Sequence, residues 1–155
     1  MTAGNNTILV DTNVLVYAHD PRDRGKQDRA LAVLDRLITQ GRVVLSVQCL
    51  WEFFNAATRR LPEPLPSLVA QTQVERFARS CRILDLTAAT VLEACRGAGD
   101  HSLSVWDALI WATAKLNQVP LVPSEDFADG AFLEGVRFLN PFAPTFDSAL
   151  LDVGR

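Results

Sequence analysis

Ile8-Leu9-Val10-Asp11-Thr12-Asn13 is the stretch on which the fold turns. Three apolar residues in a row suit a strand covered on both faces. The acid and two polar residues that end it suit the start of a helix, where such side chains accept from free backbone N–H groups. A strand feeding straight into a helix is the repeating unit of an α/β sheet. Working outward, further strands are expected at 43–45, 82–85, 121–122 and 136–138, beside the first at 8–10.

The segments between them read as helices. Over 27–39, Ala30, Leu31, Leu34, Leu37 and Ile38 form one stripe opposite Asp35 and Arg36. Ser46 is placed to cap a helix that runs to about Arg60 and stops before Pro62. Pro62, Pro64 and Pro66 bend the chain before a helix over 67–79, and Thr87 and Ser104 are placed as caps of two more. The alternation predicts an α/β fold of three layers, α/β/α, with a central parallel sheet of about five strands. It is expected to form one domain over 1–155, with a frayed end over the first six residues. The tail after Pro141 carries no clear pattern.

Bulk properties narrow the class. The 155 residues are 48% hydrophobic and 21% charged, the composition of a soluble globular protein. No apolar run approaches the ~20 residues that span a bilayer, and no stretch resembles a signal peptide. Cys49, Cys81 and Cys95 are odd in number and sit in apolar surroundings, so they are expected as reduced core residues in a cytoplasm. The net charge of -3, from 15 basic and 18 acidic residues, is not that of a typical nucleic-acid binder. Acids gathered at a metal site would remove that objection.

In a parallel sheet, ligands bind beyond the carboxyl ends of the strands. Asp11 and Asp126 follow two of those ends, so they belong on the same edge. Asp11 also reads as an N-cap. Glu52 lies on a narrow polar stripe with Gln48, Asn55 and Arg59, which faces either water or a polar cleft. Asp107 stands three positions after Ser104, as in a capping box, yet Ile110, Trp111 and Ala114 share its face. A carboxylate there would be largely buried, with no basic residue close enough to pair. In Ser124-Glu125-Asp126-Phe127, Glu125 and the nearby Asp129 are alternatives to Asp126.

Four gathered carboxylates would need cations. All-oxygen ligands favour Mg²⁺ or Mn²⁺, and no Cys or His pair has zinc-ligand spacing. Such a cation activates water for in-line attack on a phosphodiester, with one or two ions serving.

Four short motifs carry a resemblance: residues 10–17 (Val-Asp-Thr-Asn-Val-Leu-Val-Tyr), Leu45-Ser46-Val47-Gln48 leading to Glu52-Phe53, residues 103–110 (Leu-Ser-Val-Trp-Asp-Ala-Leu-Ile), and residues 121–127 (Leu-Val-Pro-Ser-Glu-Asp-Phe). Over about 8–141 the chain resembles PIN-domain ribonucleases, and within them the VapC toxins of type II toxin–antitoxin systems. The resemblance implies a PIN-like fold and a Mg²⁺-dependent endoribonuclease acting on tRNA or rRNA. It also implies a homodimer and inhibition by a cognate antitoxin. Asp11, Glu52 and Asp107 fall on the family's metal ligands and Asp126 on the more variable fourth, with Thr12, Asn13, Ser46 and Ser104 on supporting positions. Arg22, Arg24, Lys26, Arg59 and Arg60 are available to hold RNA, or are ordinary surface charges.

Trp51, Trp106 and Trp111 are spaced as core residues, which counts against a role in reading bases. Other readings are another metal-dependent phosphoryl hydrolase, or a binding module whose acids only pair and cap. Gly97-Ala98-Gly99 follows a helix rather than a strand, so it is no dinucleotide fingerprint. His19 and His101 are expected in polar loops, away from any serine-nucleophile elbow.

Overall fold

The computed structural model describes residues 6–152. Its strands are β1 (Ile8–Leu9), β2 (Val43–Ser46), β3 (Arg82–Leu84), β4 (Leu121–Pro123), β5 (Phe132–Leu133) and β6 (Val136–Leu139). They form one sheet in the order β3-β2-β1-β4-β6-β5. Every pairing is parallel except that of β5 with β6. Among the described residues the sheet therefore has six strands where about five were expected. The extra one is a two-residue edge strand turned back through Glu134 and Gly135, both at positive φ. So short a strand leaves no periodic signal.

The helices are α1 (Thr12–Tyr17), α2 (Arg24–Thr39), α3 (Val47–Arg59), α4 (Ser67–Ser80), α5 (Ala88–Asp100) and α6 (Val105–Leu116). Their starts are chemically marked. Asp23 accepts from the Lys26 N–H, Ser46 from Cys49, Thr87 from Thr90 and Ser104 from Asp107. Helix α2 begins earlier than the expected residue 27 because Asp23 caps it. Its buried stripe is Ala30, Val33, Leu34 and Leu37, while Leu31 and Ile38 are exposed.

Ile8, Leu9 and Val10 are fully buried at the sheet's centre. Helices α5 and α6 approach so closely at Gly97 that a Cβ there would lie 2.3 Å from the Trp111 ring. The tail, unassigned from sequence, carries a 3-10 helix at Ser148–Asp152. Arg36 pairs with Asp152, and buried Arg42 donates to the Leu151 carbonyl. The frayed end expected over the first six residues falls, except for Asn6, outside the described residues.

Several side chains depart from expectation. Cys49 is buried and Cys81 half-buried, but Cys95 is exposed on α5. His19 and His101 lie between regular elements as expected, but in packed rather than polar surroundings: His19 is edge-on to Phe53 with ring centroids 5.0 Å apart, and His101 to Trp111 at 5.2 Å. Among the described residues, no helix is long and apolar enough to cross a membrane.

Candidate functional site

The carboxyl ends of β1 and β4 meet at one point. Ile8 is in register with Leu121, so Asp11 and Ser124, each three positions further on, come side by side. The Asp11 N–H donates to the Pro123 carbonyl (3.2 Å), and the Ser124 hydroxyl donates to Asp11 Oδ2 (2.6 Å). Asp11 Oδ1 accepts from the Thr12 N–H (2.7 Å). Asn13 fastens the loop after β4. Its Nδ2 donates to Ser124 Oγ and to Asp126 Oδ2 (3.1 Å), and its Oδ1 accepts from the Glu125 N–H.

A cavity of about 1070 Å³ opens above this point, larger than the roughly 300–1,000 Å³ of most small-ligand pockets. Asp11, Asp20, Glu52, Asp107, Glu125 and Asp126 line it. Two of these six acids have their own cations. Arg22 grips Asp20 with two parallel bonds (3.0 and 2.6 Å), and Lys26 pairs with Glu125 (2.8 Å) while also reaching the Tyr17 hydroxyl. The other four, Asp11, Glu52, Asp107 and Asp126, have no basic partner among the described residues.

These four influence one another. Burial is the main force raising the Asp11 carboxyl to about 7, opposed by the Ser124 and Thr12 bonds and increased by the charges of Asp126 and Glu52. Asp107 is also raised, first by desolvation, with Ser104 opposing and Asp126 and Glu52 adding. The four ring the cavity without closing on a point. Among the described residues, no three His, Cys, Asp or Glu side chains are gathered tightly enough to hold an ion. Two carboxylates at ~4 Å repel by about 4 kcal/mol at a surface-like dielectric, so closing the four on one point requires a cation.

The donor set still fits a hard divalent cation. It is all oxygen, without thiol or imidazole, and one acid is already stripped of water. Gln48, which lines the same cavity, has a buried Oε1 with no hydrogen-bond partner. Its Nε2 donates to Glu52 Oε1 (2.5 Å) and to the Trp106 carbonyl (3.3 Å), tying α3 to the start of α6.

Of the polar residues expected to support the acids, Thr12, Asn13 and Ser104 line the cavity. Ser46 does not. It is fully buried, caps α3 and donates to the Cys49 thiol. Of the alternatives to Asp126, Glu125 is neutralised by Lys26, and Asp129 accepts from the Asn140 N–H away from the lining. Of the polar stripe on α3, Gln48, Glu52 and Asn55 line the cavity, while Ser124, which has no role in the sequence reading, is revealed by strand register. Arg22 and Arg60 reach the cavity lining, whereas Arg24 and Arg59 do not. Trp51 and Trp106 are exposed at its rim, contrary to their expected place in the core, where only Trp111 lies.

Comparison with known proteins bears on the fold. The toxin VapC20 of Mycobacterium tuberculosis, described as cleaving the sarcin–ricin loop, superposes with a TM-score of 0.63 at 22% identity, over 84% of this chain and 99% of that one. A toxin–antitoxin complex from Klebsiella pneumoniae gives 0.66 at 18%, over 88% and 98%. FitAB bound to a DNA fragment gives 0.67 at 26%, over 90% and 99%. No curated protein sequence matches significantly. The PIN domain pattern matches residues 8–128, most of the chain, so the protein belongs to the PIN domain family and has the fold of the VapC toxins.

Proposed function

We propose that the chain is a Mg²⁺-dependent endoribonuclease toxin held in check by a cognate antitoxin. The observation that carries this reading is selective neutralisation. Of the six acids lining the cavity, the two with ion-pair partners leave four carboxylates facing one space without a cation. Such a set of unpaired carboxylates around one space suits a hard cation held between its members.

Asp11, Glu52, Asp107 and Asp126 would hold that cation, with Mn²⁺ able to replace Mg²⁺. When bound, it activates water and stabilises charge on a phosphodiester undergoing in-line attack. The protein's own groups fix the acids. Ser124 and Thr12 orient Asp11, Asn13 holds Asp126, and Gln48 steadies Glu52. Arg60, exposed at the rim, is available to a substrate phosphate.

RNA of the tRNA or rRNA class is favoured as substrate because the similar toxin VapC20 is described as cleaving the sarcin–ricin loop. An antitoxin partner is favoured because the similar structure from Klebsiella pneumoniae is a toxin–antitoxin complex. A homodimer accords with that class. The test is expression of the wild type beside Asp107→Asn in a bacterial host, with sequencing of new RNA ends. Growth arrest and discrete cuts in the wild type alone support the reading, and harmless expression of both with no new ends counts against it.

A further inference from the structure

Tryptophan is buried in most proteins, yet Trp51 and Trp106 are 72% and 62% exposed, while Trp111 is fully buried. Both exposed indoles line the acidic cavity. Each directly precedes a site carboxylate, Trp51 before Glu52 on α3 and Trp106 before Asp107 on α6. The Gln48 side chain, one turn before Trp51, bonds the Trp106 carbonyl and so joins the two helices at this rim. Phe54 stacks beneath Trp51, with centroids 5.7 Å apart and planes 12° apart, so one indole face is backed and the other is free.

The surroundings decide what such faces receive. Gln48, Glu52, Asn55 and Asp107 share the lining, so each ring stands beside amide and carboxylate edges. Arg60 lies on the same lining, exposed and without a carboxylate partner among the described residues. An aromatic face with polar edges and a nearby cation matches a nucleobase joined to a phosphate. In a duplex the base faces are already stacked, so only unpaired bases can use it.

We propose that Trp51 and Trp106 are stacking platforms for two unpaired nucleobases flanking the phosphate that the acids engage. This rests on the nuclease reading above.

The test compares full-length wild type, Trp51→Ala, Trp106→Ala and the two Trp→Phe variants, with Asp107→Asn as the inactive control. Binding is measured without divalent metal, using random-sequence single-stranded oligoribonucleotides and a fully paired RNA duplex. Cleavage is then measured with Mg²⁺. Each alanine variant is expected to bind the single strands about tenfold more weakly. KM should rise with kcat little changed, with duplex binding and melting temperature as in the wild type, and phenylalanine should restore most of the loss.

Alanine variants that bind and cleave like an active wild type would overturn the platforms and leave the nuclease reading standing. A wild type no more active than Asp107→Asn would sink both. Normal RNA handling with lost binding of the antitoxin encoded beside the toxin would assign the rim to a protein partner and overturn the proposal.

Discussion

The Ser124 hydroxyl reaches Asp11 Oδ2 at 2.6 Å across 113 positions of chain, because β1 and β4 lie next to each other in register. That bond holds the most buried acid of the site in one orientation and lowers its pKa against the desolvation that raises it. Ser124→Ala removes the bond without adding bulk. Activity at neutral pH is expected to fall by about 10–100-fold, the usual cost of losing a group that orients a ligand. The acidic limb of the rate–pH profile should move to higher pH, because Asp11 will hold its proton longer. A profile unchanged in both height and position would contradict this account.

The four unneutralised acids should be far more sensitive than their paired neighbours. Asp11→Asn, Glu52→Gln and Asp107→Asn are each expected to reduce RNA cleavage by about 100-fold or more, beyond the loss from an orienting group. Asp126→Asn should cost more than Glu125→Gln, since Glu125 is committed to Lys26. Asp129→Asn, away from the lining, should cleave as the wild type does. Single-turnover rates on one labelled RNA would rank all six.

Stability should depend on pH through Asp11. Its folded carboxyl, raised to about 7, lies above the ordinary 3.8, so the folded state keeps a proton that the unfolded chain releases. The contribution is full below about pH 4 and is lost as pH rises through about 7, by about 4 kcal/mol at most. In metal-free buffer the melting temperature should therefore fall between pH 5 and 8, and Asp11→Asn should flatten the decline. Mg²⁺ should restore stability at pH 8 and do little at pH 5. A metal response independent of pH would count against Asp11 as a ligand.

Gly97→Ala tests the packing beneath the site. The new Cβ would sit 2.3 Å from the Trp111 ring, which is fully buried and has nowhere to turn. Overpacking of this kind costs about 1–3 kcal/mol. Chemical denaturation should show that loss, whereas Gly99→Ala, with open space around it, should not.

Much of this molecule is local in its chemistry and so legible in the sequence. The strand before Asp11 and the caps at Ser46, Thr87 and Ser104 depend on a few adjacent residues. Other features depend on distant ones. Which of the adjacent acids Glu125 and Asp126 has its own cation depends on Lys26, 99 positions from Glu125 in the chain. Ser124 became informative only once β4 was placed beside β1. Trp51 and Trp106 were misassigned because an apolar residue on a helix has the same spacing whether its face meets the core or a cavity rim. Cys95 was misread for the same reason, lying on the exposed side of α5. The exposure of a helical face is a property of the assembled layers, not of its own segment.

Helix α6 carries Trp111 at its middle and Asp107 one turn earlier, so the contact with Gly97 also sets where Asp107 stands. Asp11, by contrast, is rooted in the sheet's central strand and has no freedom to follow. The site is therefore a vice with one jaw welded and the other on a screw, and the thread of the screw is the seam between α5 and α6. A substitution at that seam, remote from any substrate, will change the gap between the jaws before it unfolds the protein.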